Sequence, residues 1–157
     1  MKRNWTELSG DEYQKVWSRF EREFNFGRTD GVRSFASPVP FITYDIAEVY
    51  GKPYFEEYYL DLHEKMRCLF INCTLEREKI YALDWQHDCY LVDPRLEPDL
   101  TEFGEWLIPI LPNGDYYFFL DKDFKWGVLG HPWKNTITIF GEKLIKGIEA
   151  NKPLLFQ

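Results

Sequence analysis

Cysteine is scarce in this 157-residue sequence, and the three that occur, Cys68, Cys73 and Cys89, show no C-x-x-C spacing. An odd, small and scattered set argues against both a disulfide framework and a zinc site. It reads as three reduced, mostly buried thiols of a cytoplasmic protein. Long apolar runs are also missing: nothing approaches the roughly 20 residues that cross a bilayer. The opening MKRNWTELSGDEY has basic residues without an apolar stretch behind them, unlike a secretory signal. The nucleophile elbow, the phosphate loop, HExxH and GxGxxG are all absent, which counts against common hydrolases, kinases and nucleotide-dependent oxidoreductases. The chain therefore reads as non-catalytic rather than enzymatic. Nothing in it calls for a cofactor or a structural metal.

Basic charge is short as well. The formal net charge is −7, and it is unevenly placed. From Asp84 to Asp123 ten acidic residues face only Arg95 and Lys122, a local balance of −8 that leaves the remainder at +1. Nucleic acid needs a basic face and is disfavoured. A basic protein partner is favoured, with a merely solvated acidic face as the alternative. Oligomeric state is not legible.

What the chain has in abundance is aromatic side chains: 13 Phe, 10 Tyr and 6 Trp. They can build a core or supply anchors for a partner surface. At this length a single domain, 1–157, is expected.

Ser9 and Glu12 form a capping box that starts a helix whose stripe is Tyr13, Val16, Trp17, Phe20 and Phe24. Gly27 breaks it, and Arg28 to Pro40 reads as irregular. Phe41–Ile46 is a strand. Gly51, Lys52 and Pro53 turn the chain into a second helix with apolar Phe55, Tyr58, Tyr59, Leu62, Met66, Leu69 and Phe70, ending near Asn72 to Thr74. His63 within it reads as a satisfied, partly buried histidine. Lys79–Trp85 and Cys89–Val92 are short strands, Asp93–Gly104 is a surface loop, and Trp106–Leu111 is extended at an edge. After a turn at Pro112 to Gly114, the uninterrupted run Tyr116–Leu120 reads as a strand covered on both faces. Asp121–Asp123 is an exposed turn to Trp126–Leu129, and Thr136–Phe140 follows. A last helix from about Gly141 to Asn151 carries Leu144, Ile145 and Ile148. Strands clustered in sequence indicate α+β: a mostly antiparallel sheet of about five strands packed with three helices.

Two segments gather polar groups among aromatics: Ala82–Asp88 and Gly127–Trp133. If they converge, Asp84, His87, Asp88, Asp115 and His131 could supply a base, an orienting carboxylate and a second imidazole, or hold a divalent ion. Trp85, Trp126 and Trp133 would line such a pocket, although Trp126 and Trp133 read first as core. The competing reading has these groups fixing turns, since a His next to an Asp on a strand points to the opposite face.

At these segments a family becomes visible. ALDWQHDCYLVDP, PNGDYYFFLDKDFKWGVLGHPW and TITIFGEKLI, with WTELSGDEYQKVWSRFEREF at the start, resemble a family of small bacterial proteins known as domain of unknown function 2716. The likeness covers nearly the whole chain and implies no reaction or ligand. In its acidic, aromatic, single-domain style the chain is also similar to immunity proteins that neutralise bacterial toxins, an analogy of type. Two expectations follow. One is a binding protein presenting an acidic face to a basic partner such as a toxin domain. The other is a small enzyme or ligand-binding domain with a pocket built from the ALDWQH and GHPW segments.

Overall fold

Ser9 and Glu12 start the first helix as their spacing predicts. In the computed structural model the Glu12 N–H donates to Ser9 Oγ and the Ser9 N–H to Glu12 Oε1, both at 3.2 Å. The structure describes residues 3–29, 32–37, 39–53 and 55–157. A short strand β1 (Thr6–Glu7) precedes this helix, α1 (Gly10–Glu23). The stretch expected to be irregular instead holds an antiparallel pair, β2 (Gly27–Thr29) and β3 (Val32–Ser34); residues 30, 31 and 38 of that stretch lie outside the described residues. Then come β4 (Phe41–Asp45), a 3₁₀ turn at Ala47–Gly51 and α2 (Phe55–Asn72). Five more strands follow: β5 (Ile80–Asp84), β6 (Tyr90–Val92), β7 (Tyr117–Leu120), β8 (Gly127–His131) and β9 (Thr136–Phe140). The chain closes with α3 (Glu142–Ala150) and a 3₁₀ turn at Leu154–Phe156. No described helix is long and apolar enough to cross a membrane.

The fold is α+β, but the main sheet has seven strands rather than five, all antiparallel, in the order β1-β6-β5-β7-β8-β9-β4. Two-residue β1 was beyond the reach of periodicity because it is short and polar.

The sheet is covered on both faces, which explains the unbroken apolar run in β7. Phe118 and Leu120 point to α1, where they join Val16, Trp17, Phe20, Phe24, Leu83, Leu129 and Phe140. Phe119 points the other way, to Leu62, Met66, Phe70, Val128, Ile139, Leu144 and Ile148 under α2 and α3. The period-2 alternation of a strand thus feeds two separate cores. On the α1 side the rings stack: Phe20 lies 4.6 Å from Phe118 and 4.7 Å from Phe24.

Strands β7 and β8 pair antiparallel across the 121–126 turn, as expected, with Phe118 opposite Leu129. Asp121 is a correction. It is buried, not exposed, because its carboxylate accepts the Lys125 N–H and its carbonyl accepts the Phe124 N–H at 2.8 Å. Lys122 and Asp123 remain in solvent. Arg19 of α1 clamps this turn, donating to the carbonyls of Lys122 and Asp123 and lying 4.3 Å over the Phe124 ring.

Trp106–Leu111 is a second correction. Only Trp106 forms a bridge, to Leu100, and Ile108, Ile110 and Leu111 pack into the core without strand pairing. Pro109 and Pro112 supply no N–H for a ladder. The Ile110 N–H goes instead to His63 Nε2 at 2.8 Å.

Candidate functional site

Antiparallel register brings the first cluster together. Asp84 ends β5 opposite Tyr117 of β7, so Asp115, two residues before Tyr117, shares its face and its end of the sheet. The turn after β5 then folds back. Gln86 adopts φ 66°, and the His87 N–H donates to the Asp84 carbonyl at 3.0 Å. This places His87 Nδ1 at 3.1 Å from Asp84 Oδ1 and 2.8 Å from Asp115 Oδ2. Asp115 Oδ1 meanwhile accepts the Tyr116 N–H. One donor atom from each of the three residues lies within 4.8 Å of the others. Burial, and next the neighbouring Asp115 carboxyl, push the Asp84 carboxyl up to about 7. The two carboxylates hold the His87 imidazole above its ordinary value, Asp84 foremost. Chemically the arrangement can share protons or hold a small cation.

The remaining predicted site residues stand apart. Asp88 is exposed and outside the cluster. Trp85 is half-buried and packs edge-on to Tyr116 and Phe26. His131 is buried, with its ring beside Phe35 and Tyr116, and its Nδ1 accepts the Lys134 N–H. It lines a cavity of about 160 Å³ that includes none of Asp84, His87 or Asp115. Trp85 of the ALDWQH segment and His131 of the GHPW segment pack on the same Tyr116 ring, at 5.7 Å and 5.0 Å, while the Asp84–His87–Asp115 cluster shares no residue with the cavity beside His131. Trp126 is core, stacked on Phe70 at 5.6 Å, whereas Trp133 is not core but 68% exposed.

The second feature is a groove of about 520 Å³ between α2 and the loop over residues 93–106. Tyr59, Leu60, His63, Ile71, Leu100 and Trp106 are its apolar lining. Leu60, Leu100 and neighbouring Phe103 are 57%, 53% and 82% exposed. Glu64 and Glu97 line it, and Glu102 and Glu105 flank its Gly104 wall, all four in solvent. The basic residue there is Arg67, which is engaged with the carbonyls of Pro94 and Arg95 and lies 3.8 Å from Glu97.

The loop is a surface loop as expected, but it is fastened along its length. Arg95 caps the end of α2, donating to the carbonyls of Ile71, Thr74 and Leu75 and to Thr74 Oγ1. That is where a cation suits the helix dipole. The Trp106 N–H donates to Tyr59 Oη at 3.1 Å. His63 is fully buried, stacked at 3.8 Å on Tyr59, and burial lowers its imidazole to about 4. Since Nε2 accepts from Ile110, the proton sits on Nδ1 and is donated to the Tyr59 carbonyl.

Asn4 fastens the far end. Its amide donates to the carbonyls of Asp93, Leu96 and Glu97 and accepts the Asp93 N–H. Asp99 answers by accepting the N–H groups of Asn4 and Trp5. Asp93 and Asp99, two of the ten acids of the Asp84–Asp123 block, are half-buried and spent on backbone bonds. Sequence offered no signal for Asn4. Replacing it by Ala orphans a buried N–H and three carbonyls and is expected to cost about 1–3 kcal/mol. Amide exchange across residues 93–106 should accelerate with it, and unchanged protection there would show the latch to be idle.

Two comparisons with known proteins bear on this chain. A family model described as "Protein of unknown function (DUF2716)" matches residues 7–145. The "Uncharacterized protein YxiI" of Bacillus subtilis (strain 168) is 37% identical over 158 residues, covering 98% of each chain. No solved structure matches.

Proposed function

The chain belongs to the DUF2716 family, and from that premise we propose that it is a non-catalytic binding protein of immunity type. It seats a basic, amphipathic segment of a partner, such as a toxin domain, in the groove between α2 and the 93–106 loop. One observation carries this reading: exposed Leu60 and Leu100 line one groove with exposed Glu64 and Glu97, and exposed Glu102, Phe103 and Glu105 flank its Gly104 wall in sequence. Exposed apolar residues clustered within a charged rim are the usual composition of a docking surface.

Each part has a physical role. Leu100, Phe103 and the Trp106 edge supply apolar anchors, where binding energy concentrates. Glu64, Glu97, Glu102 and Glu105 speed encounter with a cationic surface and disfavour acidic competitors. Because Asn4, His63, Arg67 and Arg95 hold both walls in place, little order has to be gained on docking. The acidic block contributes less widely than its count suggests. Of its ten acids only Asp88, Glu97, Glu102, Glu105 and Asp123 are fully in solvent.

A Lys/Leu amphipathic helical peptide titrated into isotope-labelled protein tests the proposal. The largest chemical-shift changes are expected at Leu60, Leu100, Gly104 and the Trp106 indole. Affinity should fall as salt rises from about 50 to about 500 mM, because screening shortens to a few ångströms. Glu97, Glu102 and Glu105 changed together to Lys should slow association strongly and leave the fold intact. Shifts scattered over the acidic surface, or affinity indifferent to salt, would refute the groove as the docking site.

A further inference from the structure

We propose that Asp84, His87 and Asp115 bind one divalent transition-metal ion of zinc or manganese type at the β5–β7 end of the sheet. The site shares no residue with the groove, and the inference does not rest on the docking role.

The donor set and its spacing carry the inference. Imidazole with two carboxylates is a mixed nitrogen and oxygen set suited to zinc, manganese or ferrous iron rather than to calcium or magnesium. Metal–ligand bonds of about 2.1 Å at 90–109° place adjacent donors about 3.0–3.4 Å apart. His87 Nδ1 stands 3.1 Å from the Asp84 oxygen, inside that range, and 2.8 Å from the Asp115 oxygen, just under it, with all three donors within 4.8 Å of one another. Small side-chain adjustments would let the three donors face one ion, with further positions open to water or a bound group.

Charge supports the same reading. The two carboxylate side chains are only 19% and 18% exposed. Among the described residues, no Lys or Arg forms an ion pair with either of them. Their compensating partner is an imidazole that is itself 65% exposed. A doubly charged ion would take the place of the protons that Asp84, His87 and Asp115 otherwise share.

The backbone that places these donors is fixed by other means: the β5–β7 ladder and the 84–87 turn. A metal here occupies a folded chain and does not create the fold, so the expectation that folding needs no metal is untouched.

The test uses the full chain without a histidine tag, stripped with chelator. MnCl₂ is titrated while amide signals are followed, manganese being chosen because it avoids the thiol of exposed Cys68. Paramagnetic broadening is expected first at residues 84–88 and 115–117. ZnCl₂ calorimetry on the same protein should give one ion per chain. Asp115→Asn and His87→Ala should each weaken binding at least about 10-fold, as loss even of an outer-shell group can. Asp88→Asn, outside the cluster, should leave it unchanged. Should either single variant perturb folding, broadening in the unaltered protein still decides. Broadening centred on the 97–105 acids, equal affinity in all variants, or no binding of either ion at millimolar concentration would overturn the site.

Discussion

Acidification from pH 7 to pH 4 is expected to remove about 3 kcal/mol of folding stability through His63. Burial holds this imidazole neutral, lowering it from 6.5 to about 4. An unfolded chain takes up the proton from about pH 6.5 downward, whereas the folded chain resists until about pH 4. The stabilising contribution is therefore complete above pH 6.5 and is lost as pH falls toward 4. Geometry supplies the reason for the resistance. A second proton on Nε2 would turn the acceptor of the Ile110 N–H into a donor and leave two donors facing each other. Denaturant unfolding of the chain and of His63→Gln at pH 7.5, 5.5 and 4 isolates the effect, since glutamine keeps an acceptor without titrating. The variant should lack about 3 kcal/mol of the pH dependence. Parallel pH profiles would show that His63 is not the titrating group. Because His63 lines the groove and its Nε2 accepts the N–H of core residue Ile110, docking of a basic segment should weaken over the same pH range.

Both helical stripes and the double-sided burial of Tyr116–Leu120 were legible because they are local. Ser9 and Glu12 cap within one turn, and Phe118 and Phe119 reveal two buried faces by standing side by side. What sequence could not show depends on pairings distant along the chain. Asp115 joins Asp84 and His87 only through the β5–β7 register, and neither β5 nor β7 announces its partner. The GHPW segment meets the other only through β7, which lies between β5 and β8 in the sheet order: His131 packs on Phe35 and on Tyr116, whose ring also meets Trp85. Charge misled where carboxylates serve the backbone. Asp93, Asp99 and Asp121 look like solvated surface in a list of acids, yet Asp93 and Asp121 each accept an N–H of their own loop and Asp99 accepts those of Asn4 and Trp5. The groove was invisible because its walls, α2 and the 93–106 loop, are joined by Arg67 and Arg95, and the loop is tied to Asn4, all at long sequence separation.

Leu62→Ala is expected to cost about 2–5 kcal/mol, while Leu60→Asp, two residues earlier on the same helix, should change stability by less than about 0.5 kcal/mol. A two-residue step turns a helix by roughly 200°, so the two leucines face opposite sides. Leu62 is 0% exposed and belongs to the core that α2 forms over Phe119 and Ile139, where truncation removes buried methyl groups and leaves a cavity. Leu60 is 57% exposed on the groove rim, and an aspartate there is already solvated. The pair separates core from surface within one turn. Urea unfolding should show a lower midpoint for Leu62→Ala with an unchanged slope, and no shift for Leu60→Asp. Binding of the Lys/Leu probe should respond the other way. Leu60→Asp loses an apolar contact in the groove and weakens association, whereas Leu62→Ala, measured where it remains folded, keeps it. If Leu62→Ala costs under about 0.5 kcal/mol, α2 does not pack on the sheet through this face. If Leu60→Asp leaves the probe's affinity intact, the apolar half of the groove is not where a partner sits.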